Sequence, residues 1–243
     1  MLRHGESQWN QENRFTGWTD INLTKKGETE AKSSGELLKK EHFEFDLVFT
    51  SLLMRANQTM KICLNEMNIN DISIVSDWRL NERHYGALQG LNKAETAKKY
   101  GEKQVFLWRR SYDIPPPLLE LEDERNPKFD LKYKGLQKNQ LPRGECLKDT
   151  VNRVLSLWEN IIAPKIISGK RILIVAHGNS LRAIVKILDN ISNEDIIGVN
   201  IPTGIPLVYE LDMKLNPLNH YYLGETSELE KRLANVVSQG KSN

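Results

Sequence analysis

Apolar positions along this chain recur with two different periods, and their alternation predicts the fold. Asp46 to Thr50 reads as a strand, and the residues after it carry a helical stripe of Ala56, Met60, Cys63, Leu64 and Met67. Ile72 to Val75 is a short second strand. From Leu147 to Ile162 the residues Leu147, Val151, Val154, Leu155, Trp158, Ile161 and Ile162 recur at helical spacing, and Pro164 is expected to mark the end of that helix. Arg171 to Ala176 is a continuous apolar run of the kind found in buried parallel strands, and a helix with Leu181, Ile184, Val185 and Leu188 on one face follows it. Pro202 to Pro206 forms a rigid turn, and Leu207 to Leu211 is a final strand. Strands alternating with helices predict an α/β fold, a mostly parallel sheet flanked by helices on both faces.

The stretch 113–145 breaks the pattern. Pro115, Pro116 and Pro117 precede a charged run from Glu120 to Lys134 with little periodicity, which reads as a long surface excursion and a candidate lid. Residues 238–243 are polar and are expected to form a flexible tail. No linker and no internal repeat divides the chain, so residues 1–243 are expected to form a single domain.

Charge narrows the possible partners. A net charge of +2 is too mild to argue for nucleic acid or a membrane surface, so any cationic chemistry must be local. No apolar run approaches the length of a membrane span, and no signal peptide is visible. Cys63 and Cys146 lack metal-type spacing, and both read as reduced, structural thiols, which suits a cytoplasmic protein. No metal site is expected.

Two His-Gly pairs stand out. Arg3-His4-Gly5-Glu6-Ser7 opens the chain, and Ala176-His177-Gly178-Asn179-Ser180 follows the apolar run at 171–176. Imidazole is suited to attack or to transfer a group near neutral pH. Ligands of open parallel sheets collect at the carboxyl ends of the strands. Two such ends on neighbouring strands would bring both rings to one pocket. Arginine grips phosphate through two parallel hydrogen bonds, and Arg3 and Arg55 occupy positions that suit this role. Arg3 precedes the first histidine, and Arg55 opens a helix just beyond the strand at 46–50. Arg83, Arg109 and Arg110 are divided between an anion site and a solvated surface on spacing alone. Glu82, between Arg79 and Arg83, is the acid/base candidate, because burial would raise its pKa while neighbouring cations hold it down.

The strings RHGESQWN (3–10), FTGWTD (15–20), WRLNERHYGALQGLNK (78–93), WRRSYDIPPP (108–117), LKDT (147–150), AHGNSLR (176–182) and IPTGIPLVYEL (201–211) together resemble the cofactor-dependent phosphoglycerate mutases of the histidine phosphatase superfamily. The resemblance runs the length of the chain. It implies a glycolytic and gluconeogenic enzyme that interconverts 3-phosphoglycerate and 2-phosphoglycerate through a phosphohistidine, primed by 2,3-bisphosphoglycerate and without a metal. It implies that His4 is the nucleophile and that Arg3, Asn10, Arg55 and His177 clamp the phosphoryl group, with Gly178 and Asn179 beside them. Thr16 and Gly17 match a phosphate contact made partly by backbone, and Glu82 matches the general acid/base. Arg83, Tyr85, Lys93, Arg109 and Arg110 match the groups that hold the substrate carboxylate and second phosphate. Gly5, Glu6, Ser7, Gln8, Trp9 and His84 complete the expected substrate-binding set. Relatives of this kind are commonly homodimers or homotetramers, and the strand region 72–78 is the expected contact.

The chain departs from the family pattern at its start. Relatives carry a short apolar strand ahead of the Arg-His pair, in the middle of their sheet, whereas here only Met1 and Leu2 precede Arg3. This first strand is therefore expected to be truncated, leaving a ladder position vacant and His4 without rigid support. Either the sequence lacks its true N-terminus or this form is destabilised. Met54 stands where the family often has Lys, and Gly144 where it often has Thr or Ser. Three alternatives accompany the mutase reading: a phosphatase on the same fold, the branch that mainly makes 2,3-bisphosphoglycerate, and a catalytically impaired scaffold.

Overall fold

The computed structural model of the protein describes residues 1–238, so most of the expected tail, residues 239–243, lies outside the described residues. Four strands form a parallel sheet: β1 (Leu2–Arg3), β2 (Leu47–Thr50), β3 (Ser73–Ser76) and β4 (Ile172–Ala176), in the order β1-β4-β2-β3. The register places Arg3 beside Ala176, Val48 beside Leu173 and Phe49 beside Val75. Two further strands, β5 (Leu207–Leu211) and β6 (Pro217–Tyr222), form an antiparallel hairpin.

Nine α-helices accompany the strands among the described residues. They are α1 (Gln8–Gln11), α2 (Lys25–Lys40), α3 (Met54–Glu66), α4 (Lys93–Tyr100), α5 (Glu102–Arg110), α6 (Leu147–Leu157), α7 (Ala163–Ile167), α8 (Gly178–Leu188) and α9 (Thr226–Ser238). Successive strand side chains point to opposite faces. Leu173 and Val175 accordingly pack with Leu38, Met60 and Cys63 of α2 and α3. Ile174 and Ala176 pack with Val154, Leu157 and Ile184 of α6 and α8. The expected α/β architecture, with a parallel sheet covered on both faces, is the one observed.

Several elements carry no large apolar stripe in the sequence. The buried face of α2 consists of Gly27, Glu30, Ala31, Ser34, Gly35 and Leu38, and its four small residues, Gly27, Ala31, Ser34 and Gly35, let the helix lie close to its neighbours. A Cβ on Gly35 would sit 2.5 Å from the Cys63 carbonyl oxygen of α3. The helix expected to end before Pro164 instead continues. A π-turn at Trp158–Ile162 joins α6 to α7, and Pro164 falls in the first turn of α7. Proline is tolerated there because that N–H needs no intrahelical partner.

The start of the chain corrects one expectation. His4 is not left without support, because β1 is short but occupies its ladder place. Its two residues pair with Val175 and Ala176, and His4 N–H donates to the Ala176 carbonyl at 3.0 Å. On the other side the Leu207 N–H donates to Met1 O at 2.8 Å, and Met1 N donates to Leu207 O at 2.7 Å. The hairpin therefore docks against β1. Further from the histidine, a cavity of about 460 Å³ is lined by Ile172 to Ile174 of β4 and by Val208, Tyr209 and Leu211 of β5.

The excursion at 113–145 contains three short 3-10 turns, Pro127–Phe129, Leu131–Tyr133 and Lys138–Gln140. It is pinned rather than loose. Tyr133 is buried with its ring 4.7 Å from Trp18, and Arg125 Nη1 donates to Gln89 O at 2.8 Å.

Candidate active site

The site forms at the carboxyl ends of β1 and β4, where the chain turns from strand to loop or helix. His4 follows β1, and His177 is the N-cap of α8 directly after β4. Because β1 and β4 are neighbours, the two rings lie 5.0 Å apart, centroid to centroid, and both are buried. The His4 Nδ1 is 2.7 Å from the Gly5 carbonyl oxygen. A carbonyl only accepts, so Nδ1 carries the proton and Nε2 keeps its lone pair. Arg55 Nε donates toward that Nε2 at 3.4 Å. His177 Nε2 meets Ser51 Oγ at 2.7 Å, at the end of β2.

Burial is the largest influence on both imidazoles and pushes their pKa values well below 6.5; Arg55 adds to the shift at each ring, as does Arg3. Both are neutral near pH 7. Arg55 opens α3, and its Nη1 and Nη2 donate to Thr19 O at 3.0 Å and Gly17 O at 2.8 Å. These bonds fix the guanidinium beside His4 and hold the loop that carries Thr16 and Gly17. Arg3 Nη1 donates to Ile201 O at 2.6 Å, and its Nε has no partner.

Glu82 is buried in the cavity wall beside the start of α8. Its Oε1 accepts from Arg83 N–H at 2.8 Å, Asn179 N–H at 3.2 Å and Asn179 Nδ2 at 2.9 Å. Burial acts to raise its pKa, but the Arg83 N–H, Arg55, Asn179 and Arg3 together outweigh it and hold the carboxyl below its usual range. The loop around it is clipped by a residue outside the cavity. Arg153 on α6 donates to the carbonyls of Arg79, Asn81 and Glu82, and to both oxygens of Glu145.

One cavity gathers Arg3, His4, Asn10, Thr16, Gly17, Arg55, Glu82, Tyr85, Lys93, Arg109, Arg110, Gly178 and Asn179 of the expected set. Its lining holds seven basic side chains against one carboxylate. Lys93 is buried, and burial followed by Arg109 and Arg3 pushes its pKa well below 10.5. Arg83 stands behind the lining, with its guanidinium 4.7 Å from the Tyr85 ring centre and its Nε and Nη1 without partners.

Other expected residues do not line the cavity. Gly5 is packed against Gly27, and Glu6 pairs with Lys26 at 2.9 Å. Ser7 caps α1, which carries Gln8 and Trp9. His84 is buried against the edge of Trp18, and its Nδ1 accepts from Gly86 N–H at 3.0 Å. The excursion at 113–145, expected as a candidate lid, contributes nothing to the lining because it is packed over Trp18 and Gln89 instead. The C-terminal helix does contribute, through Val236.

Arg14, Arg182, Asn200 and Ile201 also line the cavity and were absent from the sequence-based set. Arg182 had a legible signal, since it closes the string AHGNSLR one helical turn after Asn179. Asn200 had none: its side chain reaches Arg110 Nη2 at 2.7 Å across 90 residues of chain.

The buried Arg3 Nε without a partner, in a wall so rich in cations, fits a small polyanion bearing phosphate and carboxylate. Paired imidazoles within arginines at strand ends define a phosphoryl-transfer site built on histidine. The chain belongs to the histidine phosphatase superfamily: the sequence profile of its branch 1 matches residues 1–126 and 118–213. Within it, the chain falls among the 2,3-bisphosphoglycerate-dependent phosphoglycerate mutases. It is 58% identical over 241 residues to the enzyme of that name from Borreliella burgdorferi strain ZS7, covering 99% of this chain and 97% of that one. The B31 strain of the same species gives the same figures. Solved structures share the fold at lower identity. A mycobacterial glucosyl-3-phosphoglycerate phosphatase superposes with a TM-score of 0.67 at 22% identity, covering 91% of this chain and 95% of that one. YhfR of Bacillus stearothermophilus superposes at 0.66 with 24% identity, covering 87% and 89%.

Proposed function

We propose that this chain, acting as a single domain, interconverts 3-phosphoglycerate and 2-phosphoglycerate with His4 as the phosphoryl carrier. The observation that carries the reading is the orientation of the His4 ring, whose Nδ1 is held on the Gly5 carbonyl so that its Nε2 faces Arg55. A neutral imidazole is nucleophilic, and phosphoryl transfer needs mainly positioning and charge stabilisation.

In this reading 2,3-bisphosphoglycerate, when bound, supplies the phosphoryl group that loads His4. Arg3, Arg55, Asn10 and His177 surround the transferring oxygens and stabilise the charge that develops on them. Thr16 and Gly17 hold a phosphate edge. Arg83, Tyr85, Lys93, Arg109 and Arg110 anchor the carboxylate and the phosphate that does not react. Glu82 begins ionised, so it takes the proton of the attacking substrate hydroxyl as the His4 N–P bond breaks. It returns that proton to the leaving oxygen in the reverse step. The cations in the wall retain the doubly phosphorylated species while it turns over in place, and the apolar side chain of Val236 on α9 lines the same cavity.

A cytoplasmic homo-oligomer is part of this proposal. The exposed edge strand β3, with Ile74 46% accessible, supports a subunit contact there.

The test is incubation with 2,3-bisphosphoglycerate followed by mass spectrometry and a coupled mutase assay. Phosphate on His4 and interconversion stimulated by the bisphosphate, unaffected by EDTA and inhibited by vanadate, are expected. Release of inorganic phosphate without interconversion would replace the mutase with a phosphatase.

A further inference from the structure

Arg182 sits one turn beyond Asn179 on α8, and both are buried. Its Nη1 donates to Asn179 Oδ1 at 2.9 Å, and its Nη2 to the carbonyl of Ile196. A guanidinium has donors only, so it must meet the oxygen of the amide, which leaves the Asn179 NH₂ pointing the other way. That NH₂ donates to Glu82 Oε1 at 2.9 Å. Two backbone N–H groups, of Arg83 and Asn179, converge on the same oxygen. Three donors on one oxygen make it a poor seat for a proton. Among the described residues, Oε2 accepts no hydrogen bond, and Glu82 forms part of the cavity wall.

We infer that Arg182 is a positioning residue for proton transfer, which acts by orienting the Asn179 amide so that Glu82 is held through Oε1 and exchanges its proton through Oε2. The inference rests on the mutase reading. In the transfer step the substrate O–H bond breaks and its proton moves to Oε2. The hydroxyl oxygen forms a bond to phosphorus, and the P–N electron pair returns to His4 Nε2. Without Arg182 the amide can rotate, and its oxygen would then meet the carboxylate in place of its donor.

The Glu82 carboxyl also feels Arg3 from β1, Arg55 from α3, Arg83 and Tyr85 from its own loop, Lys93 from α4 and the charge of Arg182 itself. Charge and geometry must therefore be separated. Arg182→Lys keeps the charge and loses the fork, whereas Arg182→Met loses both.

The decisive experiment is a double-mutant cycle with Asn179→Ala, read in kcat and KM, together with the Glu82 carboxyl titration followed by ¹³C NMR. Each Arg182 variant is expected to lower kcat about tenfold with KM little changed, and to raise the Glu82 pKa. In the Asn179→Ala background Arg182→Lys, which keeps the charge, is expected to cost nothing further, because the path through the amide is already cut, whereas Arg182→Met still loses the charge that Glu82 feels. Losses from Arg182→Lys and Asn179→Ala that multiply in the cycle, or an unshifted Glu82 titration in Arg182→Lys, would overturn the inference. Arg182→Lys carries the same cycle if Arg182→Met does not fold. The titration needs no turnover, so a failure of the mutase reading shows in the wild-type assay and stays separate.

Discussion

Arg153 and Glu145 form a buried forked ion pair, with Nε to Oε1 at 2.7 Å and Nη2 to Oε2 at 3.0 Å. The same guanidinium holds the carbonyls of Arg79, Asn81 and Glu82, and Glu145 accepts the His84 N–H at 2.7 Å. One ion pair thus ties α6 to the loop that carries Glu82 and Arg83. Arg153→Met should leave a buried carboxylate without its counter-charge and the carbonyls of Arg79 and Asn81 without this donor, and cost about 3–5 kcal/mol in urea unfolding. Adding Glu145→Leu should recover part of that loss, because no unpaired charge then remains. A loss below about 1 kcal/mol in Arg153→Met would mean that the loop is held by other contacts, such as Trp18 Nε1 on the Glu82 carbonyl.

Three buried histidines give stability a distinct pH dependence. Burial lowers the pKa of His84 to about 3, aided by Arg153, and lowers those of His4 and His177 well below 6.5. Each folded-state pKa lies under the unfolded value, so below pH 6.5 the unfolded chain binds protons that the folded chain does not. Stability is therefore complete above about pH 6.5 and falls as the pH drops through and below it, by at most about 4 kcal/mol per pH unit for three such groups. Urea midpoints measured from pH 8 to 5 should be flat and then decline. A midpoint that rises on acidification to pH 5.5 would contradict the neutral state of these rings.

Arg55 joins the electrostatics of the site to its architecture. Its Nε faces His4 while its two remaining nitrogens hold the 17–19 loop. Arg55→Ala should lower kcat/KM about 10²–10³-fold, the range for removing one preorganised donor from developing charge. Arg55→Lys should recover little, since one ammonium cannot reach the imidazole and two carbonyls together. An unchanged rate in Arg55→Ala would remove Arg55 from the transfer step.

The strands β2 and β4 were legible because they are short apolar runs largely buried on both faces, β3 as a short apolar run although it is an exposed edge, and α6 and α8 because their stripes are large and aliphatic. The helix α2 was not legible, since its buried face is made of Gly27, Ala31, Ser34 and Gly35, which register as polar or neutral in any apolar count. For the site, residues inside distinctive strings, such as His4, Glu82 and His177, could be named as candidates, and Arg55 from its place at a helix start beyond the strand at 46–50. Residues whose role arises only from long-range packing were not. Arg153 is an ordinary helix arginine until α6 is laid against residues 79–84, and Ser51 is an ordinary serine until β2 is set beside β4. The proline rule failed at Pro164 because the π-turn ahead of it restarts the helix.

Gly27 offers a test of how the fold carries His4. A Cβ at this position would sit 2.0 Å from the Glu6 carbonyl oxygen, and a Cβ on Gly5 would sit 2.2 Å from the Gly27 carbonyl oxygen. The first turns of α2 therefore lie in backbone contact with the segment that follows His4. Gly27 is helical, so alanine there gains helix propensity worth up to about 1 kcal/mol and would stabilise an unconstrained helix. Here neither backbone can yield without displacing the other, and overpacking costs about 1–3 kcal/mol. Gly27→Ala should therefore destabilise by about 1–2 kcal/mol on balance. It should also slow loading of His4 by 2,3-bisphosphoglycerate, because the Gly5 carbonyl that orients the ring must shift with Glu6. Gly27→Ala with raised stability and an unchanged loading rate would show that α2 can move aside, and that the ring is held by β1 and β4 alone.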